Sequence, residues 1–373
     1  MPSLDDSLFS WEAPFSSYID IIQPCDSNRV IVSLKNGSDA ALCMVDIETG
    51  KTVNSWEKKG IQFVSFDFYP KERAGFAIDN SGHLWTIDSR CVVSEHIALY
   101  KSSMCNEIVT TASVSSDGYT IAVSRSVQNL NYKKKQKKSG GGDRESDSDS
   151  DSNASEPFIY SVDIFDVRNA SSLTHSYVES HSDTIQCLQY SSESSHLLLS
   201  GGADGLFNIF DVRRSESDDG LQSTNQVESS ISRVGFLDYS RAYVITDDNL
   251  AELFKINSPI DVDVLTRIKS HQSQFMVDIF SCDHDNYILS LESSGDGIAT
   301  VYSISNDGRT EDENSTAKCH EDLIRCSSYN PAHYMLFTGG EDGRLVGRKL
   351  TPSLRLSPIA KQRKHKKTKF RPY

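Results

Sequence analysis

The sequence predicts an all-β chain closed into a seven-bladed propeller, and three observations carry that prediction. Helical spacing is scarce, while short runs rich in β-branched and aromatic residues recur between clusters of Gly, Asn, Asp and Ser. These runs return at a nearly constant interval. First strands fall at Tyr18–Ile22, Gln62–Phe66, Ile108–Thr111, Thr184–Leu188, Ile231–Val234, Phe275–Ile279 and Leu323–Cys326, at steps of 44, 46, 76, 47, 44 and 48 residues. The long step becomes regular once an insertion at 128–157 is set aside. Finally, each unit has room for four strands. One such sheet cannot bury both of its faces, so neighbours must stack and the ring must close. Residues 18–350 are therefore expected to form one propeller domain.

Residues 1–17 precede the first unit. The last unit runs out of pattern near Leu350, so its outer strand is expected from Ser7–Trp11, which would join the chain's ends and hide two sheet edges. Thr351–Ile359 is the other candidate donor. Third strands of the first four units end in Val45-Asp46, Ile87-Asp88, Phe165-Asp166 and Phe210-Asp211, with Lys255, Ser303 and Lys349 at the equivalent places later on. The fourth unit is the clearest: His181, the strand Thr184–Tyr190, then His196–Ser200, the turn Gly201-Gly202-Ala203-Asp204-Gly205 and Leu206–Asp211. The seventh repeats it with His320, Leu323–Ser328, Tyr334–Thr338, the turn Gly339-Gly340-Glu341-Asp342-Gly343 and Arg344–Gly347. Glycine in these turns supplies the positive φ that a tight hairpin requires.

These residues resemble the WD-repeat family, whose units carry a Gly-His near the start, a turn Asp, and Trp-Asp closing the third strand. None of Trp11, Trp56 and Trp85 stands at the Trp of that dipeptide, so period and turn chemistry carry the likeness. The resemblance implies a seven-bladed WD-repeat β-propeller. It also implies that His181 with Asp204, and His320 with Asp342, belong to a buried hydrogen-bond network that fixes each blade. An acid–base pair would have no reason to recur from blade to blade. The fourth and seventh units, with the basic C-terminus, resemble a narrower group of the family, which implies a nuclear interaction scaffold.

Composition bounds the function. No window approaches 18 consecutive apolar residues, and the acidic N-terminus lacks the basic and apolar regions of a signal peptide, so no membrane contact is expected. The eight cysteines are scattered without a Cys-x-x-Cys pair, which reads as reduced thiols buried in strands, in cytosol or nucleus. No phosphate-binding glycine loop, H-E-x-x-H or G-x-S-x-G occurs. The expectation is a non-enzyme with no catalytic, cofactor or metal residues.

Charge is unevenly placed. The chain has 38 Lys+Arg against 52 Asp+Glu, a net −14. The insertion carries Lys133–Lys138, a Ser-Gly stretch and an alternating acidic run, and is expected to be a disordered loop. Its Ser146, Ser148, Ser150 and Ser152 are candidate sites for acidophilic kinases. The tail 351–373 ends in a run where Lys361, Arg363, Lys364, Lys366, Lys367, Lys369 and Arg371 are basic, which reads as a nuclear-import signal or an RNA contact. The stretch 133–151 nets +1 and residues 361–373 net +7; taking both from −14 leaves −22 on the rest of the chain. An acidic ring with a basic tail should repel nucleic acid across its body and attract basic proteins.

One rim pattern recurs: Asp88-Ser89-Arg90, Asp166-Val167-Arg168 and Asp211-Val212-Arg213 each close a third strand. In WD-repeat substrate receptors of cullin-4 ubiquitin ligases, Trp-Asp-x-Arg docks the adaptor, so the resemblance makes Arg90, Arg168 and Arg213 candidate docking residues. The expected function is a monomeric, non-catalytic scaffold of the nucleus and nucleolus, with a cytoplasmic fraction. Ribosome biogenesis, with ribosomal proteins as partners and RNA at the tail, is the expected setting. The alternative is a cullin-4-type substrate receptor.

Overall fold

Runs of β-branched and aromatic residues separated by tight turns zip antiparallel with their sequence neighbours. In the computed structural model this gives seven sheets, six built from consecutive strands and one that joins the two ends of the chain. The structure describes residues 2–14, 17–37, 39–69, 74–88, 91–99, 107–128, 158–169, 172–215, 217–271, 274–282, 287–304, 310–330 and 333–352. Blade 1 is Tyr18–Pro24, Arg29–Asn36, Asp39–Asp46 and Lys51–Lys58. Blade 2 is Phe63–Tyr69, Ala74–Asp79, His83–Asp88 and Cys91–Ala98. Blade 4 is Ile185–Tyr190, Leu197–Gly202, Leu206–Asp211 and Leu221–Gln226. Blade 5 is Ile231–Asp238, Arg241–Thr246, Leu250–Ser258 and Asp261–Lys269. Blade 6 is Gln274–Cys282, Tyr287–Ser294, Ile298–Ile304 and Thr310–Lys318.

Blade 7 takes Ile324–Asn330, Met335–Gly340 and Arg344–Pro352 from the end of the chain and its outer strand, Pro2–Glu12, from the start. Pro2 lies opposite Pro352 and Glu12 opposite Arg344. The third strand thus runs two residues beyond Leu350, where the sequence pattern ends.

Burial grades outward along each blade. Second strands such as Met335–Gly340 are buried throughout, since both of their faces meet a neighbouring sheet. Outer strands such as Lys51–Lys58 are mostly exposed. The apolar side chains gather in seven clusters, one at each blade–blade interface. The cluster that closes the ring packs Phe9, Trp11 and Phe337 of blade 7 against Ile19, Val30 and Val32 of blade 1.

Blade 3 departs from the sequence reading. Its first strand is broken into Glu107–Ile108 and Ala112–Val114, both paired with Thr120–Gln128, followed by Phe158–Asp166 and Leu173–Val178. The amides of Thr110 and Thr111 leave the ladder and donate to Ser124 Oγ instead, at 3.2 and 2.9 Å. Thr120–Gln128 and Phe158–Asp166 pair without a break from Thr120 opposite Asp166 to Gln128 opposite Phe158, so the sheet is complete without the inserted residues.

Candidate functional site

The recurrent histidines sit where the chain enters a blade, beside the turn between second and third strands. His181 Nδ1 lies 3.1 Å from Asp204 Oδ1, and its Nε2 lies 2.6 Å from Ser200 Oγ. Asp204 also accepts the backbone N–H of Ser182 and of Leu206. Burial alone would raise the Asp204 carboxyl; the His181 contact and the two amides outweigh it and hold it below the usual carboxylate range. His320 repeats the arrangement with Asp342 at 3.0 Å and Thr338 at 2.9 Å. Burial pushes the His320 imidazole below its ordinary value, against the pull of Asp342.

The paired glycines serve two different approaches. A Cβ on Gly201 would stand 2.6 Å from Ile231 of the next blade, and one on Gly202 would stand 2.5 Å from His181 Nδ1. Gly205 and Gly343 carry the positive φ of the turn, 74° and 71°. Each of these histidines therefore ties two strands and the incoming loop together. Buried and fully occupied, it fixes the blade.

Two further blades build the same brace from residues that sequence reasoning missed. In blade 2, buried Asp79 accepts from Trp85 Nε1 at 3.0 Å and faces His83 Nδ1 at 3.1 Å. In blade 6, His271 faces Glu292 at 3.1 Å and stacks on Tyr302 with ring centroids 3.9 Å apart. Glu292 stands on the second strand, at the place of Ser200 in blade 4, so the carboxylate has moved from the turn to the strand. A signal existed: His271 lies 49 residues before His320, one blade step.

Every blade also shares a defect in its innermost strand. Six carry one extra residue in the ladder, Asp20, Val64, Gln186, Ser232, Val277 and Arg325, and in blades 2, 4, 5 and 7 it faces the last two residues of the second strand. The break in blade 3 places Val109, Thr110 and Thr111 against Ser124 and Arg125, again three facing two. Bulges of this kind re-aim side chains.

Beside the bulges of blades 5, 6 and 7, three blades are cross-linked. Arg233 of blade 5 donates to Asp278 of blade 6 at 2.7 Å, Tyr243 donates to the same carboxylate at 2.8 Å, and Ser327 of blade 7 does so at 2.8 Å. The Asp278 charge raises the Arg233 guanidinium further above its already high value, and burial raises the Tyr243 phenol. Thiols line the same region. Burial pushes Cys187 up to about 12 and Cys326 higher still, so neither is a ready nucleophile.

Asp20 has no such cation. Burial raises its carboxyl to about 6, although Ser33 and Lys35 pull it down, and its Oδ1 has no hydrogen-bond partner. Because the folded value lies above the unfolded 3.8, the carboxyl is harmless below about pH 4 and destabilises as pH rises through about 6. Asp20→Asn is therefore expected to stabilise the protein by about 1–3 kcal/mol at pH 8 and by almost nothing at pH 4. Urea midpoints at the two pH values check this, and an equal change at both would refute it.

At the opposite rim, Arg168 and Arg213 each fold back on the aspartate two residues earlier. Arg168 reaches Asp166 at 2.6 Å, Arg213 reaches Asp211 at 2.6 Å, and both side chains are well exposed. The Arg168 contact lowers the Asp166 carboxyl to about 2. Arg168 also lies over the ring of Tyr119, 5.0 Å from its centroid. Arg90, the serines Ser146, Ser148, Ser150 and Ser152, and the basic tail 361–373 lie outside the described residues. Among the described residues, no group of three or more His, Cys, Asp or Glu is gathered as a metal ion would require, and no helix is long and apolar enough to cross a membrane.

Comparison with known proteins agrees with this geometry. The WD40 family (WD domain, G-beta repeat) matches residues 171–211 and 312–346, the stretches around His181 and His320. An uncharacterized WD repeat-containing protein of Saccharomyces cerevisiae is 25% identical over 198 residues, 49% of this chain and 49% of its own length. A second, from Schizosaccharomyces pombe, is 23% identical over 213 residues, 50% of this chain and 61% of its own. The chain thus spans about half of the first relative and about three fifths of the second. A chain of the Crystal Structure of Mitotic Checkpoint Complex superposes with a TM-score of 0.66 at 14% identity, covering 93% of this chain and 92% of that one, a likeness of fold alone. WD-repeat propellers generally bind proteins and act as scaffolds. With seven closed blades, the His–Asp braces of blades 4 and 7 and two matched repeats, this chain is a seven-bladed β-propeller that carries WD repeats at residues 171–211 and 312–346.

Proposed function

We propose that this protein is a non-catalytic scaffold of the nucleus, concentrated in the nucleolus, that holds basic proteins during ribosome biogenesis. The partition of charge carries the reading: −22 outside residues 133–151 and 361–373, against +7 on residues 361–373. An acidic ring attracts basic partners and disfavours phosphate backbones, while a separate basic segment suits import or RNA contact. Residues 361–373 fused to a fluorescent reporter should concentrate it in the nucleus; a uniform distribution removes the import role. Affinity purification of the intact chain should recover ribosomal proteins or assembly factors, and their absence removes the assembly role. Phosphorylation at Ser146, Ser148, Ser150 and Ser152 would turn the nearly neutral insertion acidic.

A second reading, a cullin-4-type substrate receptor, rests on Arg168 and Arg213 at one rim. It ranks below the first because both guanidiniums already hold their own aspartates. Under that reading Arg168→Ala with Arg213→Ala abolishes adaptor co-purification and leaves the thermal midpoint within about 2 °C, since exposed ion pairs contribute little. Unchanged adaptor recovery would discard it.

A further inference from the structure

Between the third and fourth strands of blade 4 the chain forms a connection that is pinned at both ends. Tyr177, fully buried on the outer strand of blade 3, donates its hydroxyl to the Arg214 carbonyl at 2.6 Å. At the other end Gly220 lies against the same ring, where a Cβ would collide with it, and Gln222 donates to the Asp219 carbonyl at 2.5 Å. One buried tyrosine thus holds both ends of the connection at the seam between two blades. Ser215 stands just past the first pin. It is exposed, and its hydroxyl has no hydrogen-bond partner among the described residues.

Charge of both signs flanks Ser215. Asp218 and Asp219 follow at the third and fourth positions, the spacing that acidophilic serine kinases read. Ser217, close by, has Gly220 at its third position instead. Arg213 and Arg214 precede Ser215, and both turn toward one carboxylate. Arg213 holds Asp211 at 2.6 Å, while Arg214 lies 3.8 Å from it with 54% of its side chain exposed. His196 also lies near Asp211. Two guanidiniums on one aspartate leave a positive charge in surplus beside the serine. A phosphoserine carries about −1.5 to −2 and accepts charge-assisted hydrogen bonds, so it matches that surplus.

We propose that Ser215 is a phosphorylation site for an acidophilic kinase, and that Arg214 leaves Asp211 to hold the phosphate while Arg213 keeps the aspartate. In the transfer the bond from Ser215 Oγ to the γ-phosphorus of ATP forms as the bond to ADP breaks, and the hydroxyl proton passes to the kinase's base. The site stands apart from the basic-partner reading above and from the serines of the insertion. Casein kinase II and ATP acting on the folded chain test it by mass spectrometry, with Ser146, Ser148, Ser150 and Ser152 replaced by Ala to silence the insertion. Phosphate is expected at Ser215, at a rate within about tenfold of a synthetic peptide of residues 209–222, and slowed by about tenfold or more in Asp218→Lys with Asp219→Lys. Ser215→Ala should abolish it, and thermal midpoints establish that the variants fold. No phosphate at Ser215, a folded chain slower than that limit, or an unchanged rate in the double variant overturns the site. Phosphorus NMR reads the clamp. The second ionisation of the phosphate should fall about 0.3 pH unit or more lower with Arg214 in place than in Arg214→Gln, because a guanidinium favours the dianion. Equal midpoints overturn the clamp.

Discussion

Replacing Arg233 with methionine is expected to destabilise the protein by about 3 kcal/mol, far more than the loss of an exposed ion pair. The cost arises at its partner. Asp278 has only 12% of its side chain exposed, and without Arg233 it keeps two neutral donors, Tyr243 and Ser327, but no cation. An unmatched carboxylate there favours its protonated form, so the penalty should shrink as pH falls toward 4. Pairing Arg233→Met with Asp278→Asn removes the charge while an amide oxygen still accepts from Tyr243. That double variant should lose about 1 kcal/mol. Urea midpoints of the three proteins at pH 8 and pH 4 give the comparison. If the double variant is as unstable as the single one, or if the penalty is independent of pH, the cross-link is packing and not charge.

Deleting residues 1–12 should have the larger effect. The segment supplies the whole outer strand of blade 7, and its loss leaves the Arg344–Pro352 strand as an open edge. Phe9 and Trp11 leave the closing interface, where Phe9 packs edge-on to Phe337 at 6.1 Å and Trp11 Nε1 donates to Thr52 of blade 1 at 3.0 Å. Burying two such rings is worth about 2–3 kcal/mol each. With the ladder bonds lost as well, a fall of about 5 kcal/mol or more is expected, enough to lower the melting temperature by about 10 °C. The exposed edge should also promote association, visible as oligomers by light scattering. Adding a synthetic peptide of residues 1–14 should restore the midpoint, because the strand needs only to pair and not to be covalently joined. A truncated chain that melts where the intact one does would show that another segment closes the ring.

Much of this was legible along the chain because it is local. The period, the hairpin turns and the His181–Asp204 and His320–Asp342 pairs all lie within one blade, where spacing of about 20 residues is fixed by two strands and their turns. Legibility failed where a role had changed residue type. Asp79 with Trp85, and Glu292 with His271, brace their blades with different atoms on different strands, so no turn aspartate announces them. It failed again at Thr110, where Ser124 Oγ takes over the strand's amides and breaks a run that reads as continuous.

The sequence by itself determined the architecture: seven units, four strands in each, one acidic body and one basic tail. Repetition makes that readable, since every unit must bury the same two faces. The tertiary structure alone decided what meets across the channel. Arg233, Asp278 and Ser327 lie 45 and 49 residues apart in consecutive pairs and come together only because bulged inner strands of three blades converge on one axis. The cavity of about 260 Å3 lined by Ile245, Phe275, Met276 and Ile324 arises in the same way. Nothing local encodes them, because closure of the ring, and not the spacing of any one repeat, sets those distances.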